Sequence, residues 1–208
     1  MKRCLVEFIG TFFLVLTIGC TVINPGAGVI APLAIGLALA VMVYAGGHIS
    51  GGHYNPAVTL GVYMRGGFGI VDVIPYWVSQ CAGAVVAAFA VAFLKGNPAV
   101  SPLILAEMGK PLLSEFLFTF ALVYVVLNVA TAKANAGNSY FGAAIGLTVM
   151  VGAFAVGNIS GAAFNPAVVL GASLMGLLEF SNLIPYVAIQ FAAAALASVI
   201  FKTTNSAA

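Results

Sequence analysis

Apolar residues in this chain come in long unbroken runs, not in alternation. Six runs are long enough to cross the roughly 30 Å hydrocarbon core of a bilayer as helices. They are about Cys4–Val22, Pro32–Ala45, Asp72–Leu94, Lys110–Ala130, Tyr140–Gly157 and Leu183–Phe201. The second is the shortest, and its start is expected earlier, near Gly28. The runs lack the apolar–polar alternation of a strand-built barrel. Two further stretches, after Asn55 and after Asn165, stay apolar for about ten residues each, which is about 15 Å of helix or half a bilayer. Two half-spans meeting tip to tip make one pseudo-seventh helix. The pattern predicts an all-α membrane protein with six transmembrane helices and two re-entrant half-helices.

Composition supports this. Hydrophobic residues make up 62% of the 208 residues and charged ones 6%, against about 25% charged in a typical soluble domain. Such a chain in water would expose very large apolar patches. The +2 net charge is small and the basic residues are scattered, which excludes a nucleic-acid partner and leaves the lipid bilayer as the expected surroundings. Lys2 and Arg3 precede an apolar run carrying Glu7 and no clear small-residue cleavage site, so this run is read as the first span and not as a cleaved leader. Cys4, Cys20 and Cys81 have neither metal-ligand spacing nor an obvious pairing and are read as small apolar filler. No metal, cofactor or enzymatic machinery is implied: there is no nucleophile–base pair, metal cluster or phosphate loop.

The chain repeats itself. His48-Ile-Ser-Gly-Gly-His-Tyr-Asn55-Pro56-Ala57-Val58 is answered by Asn158-Ile-Ser-Gly-Ala-Ala-Phe-Asn165-Pro166-Ala167-Val168, with seven of eleven positions identical and the prolines 110 residues apart. Glu7-Phe-Ile-Gly-Thr-Phe is answered by Glu115-Phe-Leu-Phe-Thr-Phe, Ile35-Gly36-Leu37 by Ile145-Gly146-Leu147, and Pro75-Tyr76 with Gln80 by Pro185-Tyr186 with Gln190. Each half, about 1–100 and 108–208, holds three spans and one half-helix. Three is odd, so the halves of this single domain are expected to enter the membrane from opposite faces, with the special sites at midplane. With both termini in the cytoplasm, Lys2, Arg3, Arg65, Lys133 and Lys202 lie inside and Lys95 and Lys110 outside, as the positive-inside rule favours.

An Asn-Pro pair alone signals only a helix start, since Asn is a good N-cap and Pro fits the first helical position. Asn97-Pro98-Ala99 is a third copy without the upstream Ile-Ser-Gly and leads into no half-span, so it is read as a loop turn. The twin boxes at repeat-related positions carry far more. Together with the paired Glu-Phe openings and the six-plus-two layout, they resemble the aquaporin and glycerol-facilitator superfamily over nearly the whole chain.

That resemblance implies a passive channel for water and small neutral solutes. Asn55-Pro56-Ala57 and Asn165-Pro166-Ala167 would form its centre, where two positive half-helix ends repel protons and cations. It implies extended segments with the carbonyls of Gly51, Gly52, His53, Gly161, Ala162 and Ala163 facing the pore, and buried Glu7 and Glu115 bracing those segments rather than relaying protons. His48 and His53 are read as hydrogen-bonded loop residues. The superfamily's outer constriction maps to Ile35, Ala153, Ala162 and Val168, counted from the boxes. Most members have an arginine where Val168 stands. Water-selective members add a histidine and an aromatic ring where Ala153 and Ile35 stand, and glycerol facilitators usually have an aspartate where Val169 stands. The expected ring is wide, apolar and unlike either subgroup. It should admit glycerol, urea, ammonia or hydrogen peroxide as well as water, and a side chain from loop Pro98–Glu107 is a candidate to fill the gap. A channel for larger solutes or gases with little water flux, a secondary transporter and a structural junction protein are the alternatives. The resemblance also implies a homotetramer, and the short tails point to the plasma membrane of a microbe.

Overall fold

The computed structural model describes residues 1–105 and 107–205. Among them the structure is built from eight α-helices. They are α1 (Lys2–Val22), α2 (Ala31–Ser50), α3 (Pro56–Arg65), α4 (Ile70–Lys95), α5 (Gly109–Val126), α6 (Phe141–Ser160), α7 (Pro166–Leu174) and α8 (Leu183–Thr204). A 3₁₀ turn, Gly28–Ile30, leads into α2, a π turn, Leu127–Thr131, extends α5, and a 3₁₀ turn, Phe180–Asn182, leads into α8. Six helices, counted with these extensions, are long and apolar enough to span a membrane. The half-helices are α3 and α7, of ten and nine residues.

The sequence places α1, α4, α5 and α8 to within about three residues. It ends α2 five residues early and α6 three residues early, because Gly46-Gly47-His48 and Gly157-Asn158 read as breaks. In lipid the α2 glycines are packing surfaces instead, whereas Gly157 is simply carried within α6 with open space beside it. A Cβ on Gly46 would overlap the Tyr54 hydroxyl. Both helices stop where a glycine takes left-handed geometry, at Gly51 (φ 92°) and Gly161 (φ 84°).

The long helices pack in two equivalent groups. Helix α1 lies against α4 and α2, and α5 against α8 and α6. Across the centre α2 meets α6, while α3 packs on α8 and α7 on α4, so each half-helix is gripped by the other half of the chain. The α2–α6 crossing is very close: a Cβ on Gly36 would stand 2.6 Å from the Gly146 carbonyl oxygen. Apolar side chains such as Ile9, Phe13, Leu37, Phe89, Phe93 and Val199 remain exposed on the outside of the bundle, as a protein in lipid requires.

Candidate functional site

Each half-helix starts with an asparagine whose side chain is held on both ends. The Asn55 Oδ1 accepts from the N–H groups of Ala57 (2.8 Å) and Val58 (3.4 Å), and its Nδ2 donates to the Phe164 carbonyl at 2.9 Å. The Asn165 Oδ1 accepts from Ala167 (2.9 Å) and Val168 (3.4 Å), and its Nδ2 donates to the Tyr54 carbonyl at 2.9 Å. Two N–H donors settle which amide atom is oxygen, so Nδ2 is the outward donor in both. One hydrogen of each amide ties the two half-helix tips together, and the second is left for whatever lies beside it. Pro56 and Pro166 sit at the first helical position, where no N–H is needed.

The segments before the boxes are irregular and lie deep in the protein, which is tolerable only if their polar groups are paired or line a cavity. Glu7 is fully buried and accepts four hydrogen bonds. The Ser50 hydroxyl (2.7 Å) and His53 N–H (3.0 Å) reach Oε1, and the Tyr54 N–H (2.6 Å) and Gln80 Nε2 (2.8 Å) reach Oε2. Glu115, equally buried, repeats the set with Ser160 (2.8 Å), Ala163 (3.0 Å), Phe164 (2.7 Å) and Gln190 (2.8 Å). The Tyr76 and Tyr186 hydroxyls donate to the Ser50 and Ser160 carbonyls at 2.7 and 2.9 Å. This bracing holds Tyr54 (φ 49°), Ala162 (φ 51°) and Phe164 (φ 49°) in left-handed geometry, a strain of about 1–3 kcal/mol for each residue.

The two halves differ around His53. His53 Nδ1 lies 3.1 Å from the Thr59 hydroxyl, and its ring stands 5.2 and 5.3 Å from those of Phe68 and Tyr76. Ala163 and Val169 occupy the equivalent positions in the second half. His48 is exposed near the end of α2.

Between the halves lies a cavity of about 830 Å³. Asn55 and Asn165 both line it, and so do all four residues assigned to the constriction, Ile35, Ala153, Ala162 and Val168. Of the six backbone positions expected to face it, His53, Gly161, Ala162 and Ala163 do, and Gly51 and Gly52 lie outside its lining. The carbonyls of residues 51–53 and 161–163 accept no hydrogen bond from any described residue. Asn97-Pro98-Ala99 forms a loop after α4, with Asn97 at φ 52°.

Two features escape a reading by repeats. The Tyr54 and Phe164 carbonyls are the latches for the opposite asparagines, and the signal was the matched aromatic before each box. The loop after α4 also folds over one end of the cavity. Leu103 N–H donates to the Leu177 carbonyl at 3.0 Å, and Val100, Leu103, Leu177 and Leu178 join the lining. A Cβ on Gly161 would lie 3.3 Å from Leu178 and 3.8 Å from Leu103. Leu103 is thus a side chain from loop 98–107 that approaches Gly161, next to the residues assigned to the constriction, and Ala99, Val100 and Ser101 of that loop also line the cavity; residue 106 of that loop lies outside the described residues.

A family model described as Major intrinsic protein matches residues 1–201. Aquaporin NIP1-4 of Oryza sativa subsp. japonica is 34% identical over 203 residues, 94% of this chain and 74% of that protein. Aquaporin AqpM of Methanothermobacter thermautotrophicus is 35% identical over 201 residues, 82% of this chain and 81% of that one. Glycerol uptake facilitator protein-like 6 of Lactiplantibacillus plantarum is 34% identical over 215 residues, 99% of each. Among solved structures, the aquaglyceroporin from Plasmodium falciparum superposes with a TM-score of 0.74 at 21% identity, covering 97% of this chain and 93% of that one. With a match of such length laid over six apolar spans and two half-helices, the chain belongs to the major intrinsic protein family of integral membrane channels.

Proposed function

We infer that the chain is a passive pore for water and small neutral solutes, with glycerol, urea, ammonia and hydrogen peroxide as candidates, and that its route is the cavity between the halves. The observation that carries this reading is the pair of asparagine amides, locked to each other's loops at 2.9 Å and each left with one free hydrogen at the cavity. A water accepting from both must turn its hydrogens toward the two mouths, which breaks the polarity of the hydrogen-bonded chain. Two half-helix N-termini then oppose protons and cations with their positive ends.

Selectivity is assigned to Ile35, Ala153, Ala162 and Val168. With Val168 in place of an arginine, the ring carries no charge and little bulk. A second reading, a channel for larger solutes or gases with little water flux, draws on Leu103 and Leu178, which bring more apolar surface beside Gly161. Apolar constrictions can dewet. The halves 1–100 and 108–208 are read as inverted repeats, supported by the matching bonds to Glu7 and Glu115. Both termini are placed in the cytoplasm on the distribution of basic residues, so Leu103 and the ring face the outer mouth. A homotetramer in a microbial plasma membrane completes the proposal.

Stopped-flow light scattering on proteoliposomes, with water, glycerol and urea gradients compared, tests it. Flux of water together with at least one of the solutes is expected. Solute flux without water flux selects the second reading, and no flux above empty liposomes defeats both.

A further inference from the structure

The backbone from Gly161 to Phe164, of which 161–163 line the cavity, has no hydrogen-bond donor to spare. Gly161 N–H donates to the Gly157 carbonyl at 2.9 Å and Ala162 to the Ser160 hydroxyl at 3.1 Å. Ala163 and Phe164 donate to the Glu115 carboxylate at 3.0 and 2.7 Å. Ala167 and Val168, just beyond, donate to the Asn165 Oδ1. Meanwhile the carbonyls of Gly161, Ala162 and Ala163 accept nothing from any described residue.

The surrounding side chains do not correct this imbalance. Ile35, Ala153 and Val168 face the cavity with hydrocarbon, and Leu103 and Leu178 close on Gly161. The polar lining residue on the same helix as Ala153 is Asn158, five residues or about 7.5 Å of helix rise further toward the mouth. In the other direction lie His53 and the free amide hydrogens of Asn55 and Asn165, and the remaining polar lining side chains, Asn24 and Ser101, belong to loops and not to the ring. The four ring residues and the backbone of 161–163 are therefore acceptor-only. An arginine at position 168 would have supplied donors; valine supplies none.

A solute in such a ring has shed most of its water. Its O–H and N–H groups find open carbonyls, but a carbonyl oxygen of its own finds no partner. One strong acceptor left bare slows passage by about tenfold, the equivalent of about 1.4 kcal/mol. We propose that this pore selects small neutral hydrogen-bond donors, hydroxyl compounds and ammonia, over carbonyl-bearing solutes of the same size such as urea and acetamide. The proposal rests on the pore reading above and names the solute class that the same site takes.

The test compares ethylene glycol with urea and acetamide, which are matched in heavy-atom count, by stopped-flow on proteoliposomes with bilayer permeation subtracted. Ethylene glycol is expected to pass about tenfold faster than either carbonyl solute. Val168→Thr and Val168→Asn keep nearly the same volume and add a donor, and each should shrink that gap to about threefold or less. Two donor variants are needed because a threonine hydroxyl can be absorbed by its own helix. Val168→Ala changes width alone and should raise all three rates together with the ratio kept. Equal rates in the unaltered protein would overturn the proposal, since water would then be travelling beside the solute and supplying the donor. A ratio that shifts with Val168→Ala but with neither donor variant would overturn it in favour of simple sieving. Absence of flux for every solute would instead defeat the pore reading, and the selectivity with it.

Discussion

At the scale of single residues, the site depends on groups whose bonds are nearly all internal. Glu115 accepts four hydrogen bonds through two oxygens with no exposure to solvent. Glu115→Gln keeps the shape but turns one oxygen into an N–H donor facing the Phe164 N–H and Gln190 Nε2. That clash of donors is expected to cost at least about 2 kcal/mol, seen as a lower melting temperature in detergent; an unchanged melt would count against the bracing role. Val168 asks a different question. Val168→Arg adds a long cation at a ring walled by Ile35, Ala153 and Ala162, so glycerol and urea fluxes should fall more than water flux in proteoliposomes. Equal loss of all three would show that position 168 does not set the constriction. The paired asparagines and glutamates were legible in sequence because each repeats at matched spacing. The Tyr54 and Phe164 carbonyls were not, because their direction toward the opposite asparagine amide is set by left-handed backbone at Tyr54 and Phe164 themselves, which a side chain's identity does not announce.

At the scale of elements, the helices meet through small residues, as they must where lipid and leucine are equally apolar and close approach supplies the attraction. The α2–α6 crossing places Gly36 and Gly146 so that each backbone blocks a Cβ on the other. Gly146→Val forces the helices apart at the walls of the cavity and should cost about 1–3 kcal/mol or more, read as loss of monodisperse protein or a lower melt. Gly157→Ala is the control, since nothing lies within 4 Å of a Cβ there; a similar penalty at both sites would refute the contact argument. The same glycines explain which boundaries the sequence placed well. Runs bounded by charge, such as Ile70–Lys95, were found to within two residues. Helices α2 and α6 run on through Gly46-Gly47 and Gly157-Asn158, which hydropathy reads as endings. The loop after α4 was legible as a turn with a side chain to spare for the gap, but not which one, because its course over the cavity hangs on the tertiary bond from Leu103 to Leu177.

At the scale of the whole molecule, the two halves bring the positive ends of α3 and α7 to one point through mutual Asn–carbonyl bonds. Each helix end is equivalent to about half an elementary charge, so together they present about one positive charge to a cation at the centre. In this chain nothing at the constriction adds to it, because Val168 stands where an arginine would. On the proposed reading, exclusion of cations falls on the centre alone, and cancelling that charge should open the pore to ions. Asn165→Asp does so: aspartate is as good an N-cap as asparagine, so α7 should still start at Pro166, although the bond to the Tyr54 carbonyl is lost while the matching Asn55 bond to Phe164 stays. The change places one full negative charge where about one positive was felt. Proteoliposomes with a sodium gradient and a potential-sensitive dye should stay silent with the unaltered protein and depolarise with Asn165→Asp, while water flux persists. Depolarisation by the unaltered protein would mean that the half-helix ends are too weak a barrier on their own. Silence from the variant, with water still passing, would mean that the apolar ring excludes ions by its desolvation cost, moving the ion barrier from the junction of the two halves to Val168 and its neighbours.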